Sequence, residues 1–121
     1  MTDEKINLAA KLEGIAEHWS PKIVAELNGQ HVKLAKIKGE FVWHAHEAED
    51  ELFIVIHGAM EMHLRDRVIH LGEGDCYVVP RGVEHKPVAA EEAHILLLEP
   101  AGTVNTGDAV SERTVVDPGW I

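Results

Sequence analysis

Cysteine is nearly missing: Cys76 stands alone among 121 residues. No internal disulfide can form, and a reducing compartment, the cytoplasm, is expected. Basic residues are scarce as well, 11 Lys and Arg against 21 Asp and Glu, leaving a formal net charge of -10. Such an excess repels phosphate backbones and anionic lipid surfaces, so neither nucleic acid nor membrane is expected as a partner. It also disfavours polyanionic substrates, although a bound metal reverses the field locally. No apolar run approaches the roughly 20 residues that span a bilayer. Met1-Thr-Asp-Glu-Lys lacks the basic-then-apolar order of a signal peptide. No low-complexity tract or linker interrupts the sequence, so residues 1–121 read as one domain.

The order of elements is legible from spacing. Thr2 as N-cap, Asp3 and Glu4 in a first turn, and Ile6, Ala9, Leu12 and Ile15 at helical spacing predict a short N-terminal helix within residues 1–18. Gly14 weakens its end, and Ser20-Pro21 breaks it. Lys22–Leu27 and His31–Lys38 flank Asn28-Gly29, a dipeptide suited to the two left-handed positions of a type I′ turn. Short strands then follow closely: Leu52–His57, Met60–Leu64, Val68–Leu71, Cys76–Val79, Lys86–Val88 and Ala93–Glu99. Pro100–Asp108 is loop-like, and Val110–Val116 is expected as a last strand. Closely spaced strands with glycine turns predict an all-β sandwich or barrel.

Two stretches carry the chemistry. In the first, residues 39–58, His44 and His46 point the same way on extended backbone, and Glu51 opens an apolar run ending at Gly58. In the second, Gly74, Pro80 and Gly82 shape a strand and a bend from which His85 emerges. Three imidazoles and a carboxylate suit one divalent transition metal, Fe, Mn, Zn or Ni.

With these spacings the sequence resembles a cupin. The first motif of that family matches Gly39, His44-x-His46, Glu51 and Gly58; the second matches Gly74, Pro80, Gly82 and His85, over residues 74–89. Two departures are visible: the interval after Gly39 is one residue short, and Ala89 stands where the family often has Asn. The resemblance implies a double-stranded β-helix, a cupin or jelly-roll barrel, with His44, His46, Glu51 and His85 as metal ligands. It also implies a homodimer that covers exposed edge strands. Similar short cupins often carry a mannose-6-phosphate isomerase-like label, which names no substrate.

Other candidates are set aside on local grounds. Glu47, Glu49 and Asp50 read as solvated turn residues beside Glu51, and His57, His18 and His31 as surface residues. His63, His70 and His94 could face the cavity, with His94 kept as a candidate neighbour of the ligands. Trp43 faces away from the metal, Cys76 is expected to pack, and Arg81 is expected to be solvated at a loop tip. Met60, Met62 and Phe53 could line the cavity, but are core residues first. The function expected is a metal-dependent enzyme acting on a small polar molecule, by oxygenation, isomerisation or lyase chemistry. The alternative is a non-catalytic small-molecule binder or a metal-dependent sensor.

Overall fold

The period-two alternation of the sequence becomes seven strands in a computed structural model that describes residues 4–121. They are β1 (Lys22–Leu27), β2 (Gln30–Glu40), β3 (Glu51–His57), β4 (Met60–Leu64), β5 (Val68–Leu71), β6 (Cys76–Val79) and β7 (His85–Pro100). Asn28 and Gly29 both take positive φ, 52° and 76°, so the β1–β2 hairpin turns as expected.

β7 organises the rest. Its first residues pair with β4, from Leu64↔His85 to Glu61↔Val88, and its last with β3, from His57↔His94 to Leu52↔Leu98. Along its other edge β2 follows it from Gln30↔Pro100 to Glu40↔Val88. One long strand therefore passes between two partners, which closes the double-stranded β-helix. The two strands expected at Lys86–Val88 and Ala93–Glu99 are this one element. Glu91 and Glu92, between the two expected strands, stay extended and face solvent. β2 absorbs the crossing through a register shift between Ile37 and Gly39, where Gly39 has φ 83°.

Alternate residues of these strands fill the barrel: Ala35 and Ile37, Phe53 and Val55, Met60 and Met62, Ile95 and Leu97, all buried. At roughly 1.5–3 kcal/mol for each large apolar side chain removed from water, this core is the main stabilising term. The opposite face of β2 turns Leu34 toward Leu12, Ile15 and Val24, where the helix docks.

That helix, α1, runs only over Leu8–Glu13, shorter than the 1–18 expected. Its N-cap is Asn7, whose Oδ1 accepts from the Ala10 N–H at 2.9 Å. Thr2 and Asp3, expected to open it, lie outside the described residues. Val110–Val116 forms turns and bends rather than a strand, because Asn105 holds it from the side. The Asn105 amide donates to the Arg113 carbonyl and accepts from the Val115 N–H, each at 2.8 Å. No helix among the described residues is long and apolar enough to cross a membrane.

Candidate metal centre

The segment before β3 is held against the start of β7. Phe41 N–H donates to the Pro87 carbonyl, and Gly82 N–H to the His46 carbonyl. Between them His44 and His85 exchange both backbone hydrogen bonds, at 3.1 and 2.9 Å. Directly opposed residues of an antiparallel pair project to one side, so the two imidazoles meet, with ring centroids 4.2 Å apart. His46 lies two residues on, and Glu51 enters as the first inward position of β3, ahead of Phe53 and Val55.

All four expected ligands are buried, and one donor atom from each lies within 4.8 Å of the others. Glu51 Oε1 is 3.3 Å from His46 Nε2 and 3.4 Å from His85 Nε2. The histidines are aimed from behind. His44 Nδ1–H donates to the Val42 carbonyl at 2.8 Å, and His85 Nδ1–H to the Val83 carbonyl at 2.9 Å. A carbonyl only accepts, so these bonds fix the tautomer and turn each Nε2 lone pair inward.

The donor set fits a cation. His46 Nε2, Glu51 Oε1 and His85 Nε2 are buried without a hydrogen-bond partner. Leaving such an atom unsatisfied costs about 1–3 kcal/mol, and a cation at the common centre would satisfy all three. The ionisation states agree. Burial, and then the neighbouring His85, pull the His44 imidazole down to about 4. Burial opposes charge on Glu51, but the adjacent His46 and His85 imidazoles outweigh it and hold the carboxyl well below its ordinary value. Burial likewise disfavours a charged His46, yet Glu51, Glu49 and Asp108 prevail and raise its pKa. The centre attracts positive charge.

Three supporting features escape the motifs. The loop after β7 straps the ligand segment: the Ala45 N–H donates to Asp108 Oδ1 at 2.8 Å, and Asp108 N–H returns a bond to the Ala45 carbonyl at 3.0 Å. Gly107 makes this approach possible, since a Cβ there would overlap the Ala45 carbonyl oxygen and lie 3.1 Å from His44 Cδ2. Lys33 and Glu99 form a buried pair, Nζ to Oε1 at 3.1 Å, and Lys33 also donates to the Thr103 carbonyl at 3.2 Å. Burial first, and then the charge of Glu51, push the Glu99 carboxyl well above its ordinary range, against the pull of Lys33. The signal for this pair was present: Lys33 shares the inward parity of Ala35 and Ile37, and Glu99 that of Ile95 and Leu97.

A cavity of about 40 Å³ adjoins the centre, walled by His44, Glu51, Glu99, Trp19, Phe41 and Phe53 among others. Trp19 holds a left-handed backbone, φ 59°, which is costly for a bulky residue. It is kept there by hydrogen bonds from its backbone N–H to the Lys36 carbonyl and from Nε1 to the Lys38 carbonyl, and by stacking on Phe41 at 4.8 Å.

The remaining candidates lie elsewhere. His57 is exposed beside Glu73. His94 is not a neighbour of the ligands: alternation turns Ala93 and Ile95 inward, and His94 bonds Glu92 on the outer face at 3.1 Å. His63 bonds Glu61, while its neighbour Met62 fills the core. His70 is exposed, its Nδ1 3.5 Å from Glu61. Cys76 is exposed on β6 rather than buried as a packing residue would be, contrary to expectation. Trp43 carries the Arg65 guanidinium 3.8 Å above its ring. Arg81 pairs with Asp50 rather than standing free.

Comparison with known proteins agrees with this fold. The family model described as Cupin domain matches residues 30–99. A crystal structure of a cupin-2 domain containing protein from Shewanella frigidimarina is 48% identical, covers 78% of this chain and 93% of its own, and superposes with a TM-score of 0.78. The crystal structure of protein NMB1881 from Neisseria meningitidis is 31% identical, covers 81% of this chain and 100% of its own, and gives a TM-score of 0.75. The uncharacterized protein YdbB of Bacillus subtilis is 33% identical over 81 residues, 66% of this chain and 72% of its own.

Proposed function

The chain belongs to the cupin domain family, and from that premise we propose that it is a divalent-metal-dependent enzyme acting on a small polar molecule. In this reading His44, His46, Glu51 and His85 are the ligands. The observation that carries it is the convergence of buried, unpartnered donor atoms from three of these residues on one point. A cation at that point would satisfy all three at once.

Four protein ligands leave positions open on an octahedral ion, as a catalytic site requires and a structural site lacks. A metal there supplies Lewis acidity, or a place for water, substrate or dioxygen. The chain supplies the rest. Val42 and Val83 fix the imidazole tautomers, Asp108 braces the backbone between His44 and His46, and Trp19, Phe41 and Phe53 keep bulk water from the cavity. Oxygenation would require Fe(II) and consume oxygen, whereas isomerase or lyase chemistry would accept Zn, Mn or Ni.

The second reading is a small-molecule binder or metal-dependent sensor with the same ligands. It is favoured by one feature: among the described residues, Glu99 is the only ionisable one in the cavity wall besides His44 and Glu51. Turnover of a bound compound separates the two. A homodimer belongs to the same proposal, as does a reducing cytoplasmic setting, supported by the free and exposed Cys76.

The ligand assignment is tested by substitution. His46→Ala and His85→Ala should each abolish tight metal binding, while His57→Ala should leave it intact. Equal loss from all three would overturn the ligand set.

A further inference from the structure

We propose that the outer face of β7, β3 and β6 is the surface on which a second copy of this chain docks. The inference rests on the homodimer reading above and deepens it by naming the face.

Strand register assembles the surface. Val32, Leu98, Leu52 and Val78 pair across β2, β7, β3 and β6, and two residues along, Leu34, Leu96, Ile54 and Cys76 make a second row. Directly opposed residues project to one side. The residues between them, Phe53, Val55, Ile95 and Leu97, fill the barrel, so both rows face outward. Strands that are apolar on both faces are strands buried on both faces. β4, β5 and the start of β7 show what this chain turns toward water instead: there Glu61 opposes His70, and His63 opposes Lys86.

Only part of the outward face is covered within the chain. Leu12 and Ile15 pack on Leu34, and Val32, Leu96 and Ile56 lean on that cluster, so α1 closes the β2 side. Leu52, Ile54 and Leu98 stay half-buried, Val78 is 51% exposed, and Cys76 is exposed.

Charge selects the occupant. With a formal net charge of -10, two copies repel wherever their acidic surfaces meet, and anionic lipid is repelled too. None of the eight residues in the two rows is charged. A second copy can therefore bring the same apolar rows against these with no like charges opposed, and a two-fold axis covers both faces at once. Three strands about 4.8 Å apart form a narrow platform, at the small end of specific interfaces, so the pair should dissociate on dilution.

Sedimentation velocity of untagged protein across a dilution series measures the association. Labelling of Cys76, the only cysteine, with N-ethylmaleimide reports the face in the same samples. Wild type should be dimeric when concentrated, with Cys76 labelled slowly, and labelling should quicken as dilution frees the monomer. That readout needs no variant. Val78→Lys buries a charge in the contact from each copy and should weaken association by about tenfold or more. Its Cys76 should label at the monomer rate at concentrations where wild type is dimeric. Val68→Lys, a comparably exposed valine on β5, is the control and should change neither readout.

A wild-type monomer at every concentration would overturn the homodimer reading and this face with it. A dimer whose Cys76 labels no more slowly than the monomer, or one that Val78→Lys leaves as tight as wild type, would overturn the face alone.

Discussion

Replacing Gly107 by Ala tests whether the loop after β7 holds the ligand segment in place. Two costs are expected. Gly107 has φ +54°, and a side chain in the left-handed region costs roughly 1–2 kcal/mol. The new methyl would also overlap the Ala45 carbonyl oxygen, lie 2.9 Å from the Ala45 carbonyl carbon and 3.1 Å from His44 Cδ2. Two of these atoms are backbone and cannot swing aside, so the loop must retreat, at about 1–3 kcal/mol for an overpacked site. Gly102→Ala is the control: it also has positive φ, +89°, but nothing lies within 4 Å of its added Cβ. Urea unfolding of metal-free protein should show Gly107→Ala less stable than Gly102→Ala by about 1–3 kcal/mol. Retreat of the loop also removes both Asp108–Ala45 bonds, so metal affinity measured against a competing chelator should fall by about 10–100-fold in Gly107→Ala alone. Equal stabilities and equal affinities for the two variants would refute the strap.

The buried pair should behave non-additively. Lys33→Met or Glu99→Leu alone should cost about 3–5 kcal/mol by stranding its partner, while the double variant should recover most of that loss in an unfolding cycle; additive losses would contradict the pairing. Metal-free protein should lose stability in acid through His44. Its folded pKa of about 4 lies below the ordinary 6.5, so the contribution is complete above pH 6.5 and is lost as pH falls toward 4. The full span is about 3 kcal/mol, partly offset by His46, whose shift runs the other way. Urea unfolding across that range checks it, and a wild-type slope no steeper than that of His44→Asn would count against a buried neutral imidazole.

What was legible in the sequence follows from what local spacing can encode. Period-two alternation marks a strand and its inner face, so β3, β4, β5 and β6 were bounded within a residue. The four candidate ligands were readable because short turns fix how His44, His46, Glu51 and His85 follow Gly39 and Gly74. Features made by distant parts of the chain were harder to read. The inward parity of Lys33 and of Glu99 is visible in each strand, but that they pair with each other follows only once β2 and β7 are aligned. Asp108 reaches Ala45 only through a loop whose course no periodicity specifies. Local signals also misled where tertiary pairing overrode them: two strands were expected where β7 runs unbroken, and a broad apolar pattern stretched α1 beyond the cap that Asn7 provides.

The central claim is that the four buried donors hold a metal. Its most direct test is the metal content of untagged protein after reconstitution with Fe(II), Mn(II), Zn(II) or Ni(II) in separate samples. The account predicts about one equivalent of at least one of these ions in wild type, lost in His85→Ala, since deprotonated, preformed ligands bind tightly. Less than about 0.2 equivalents of every ion in wild type would contradict it.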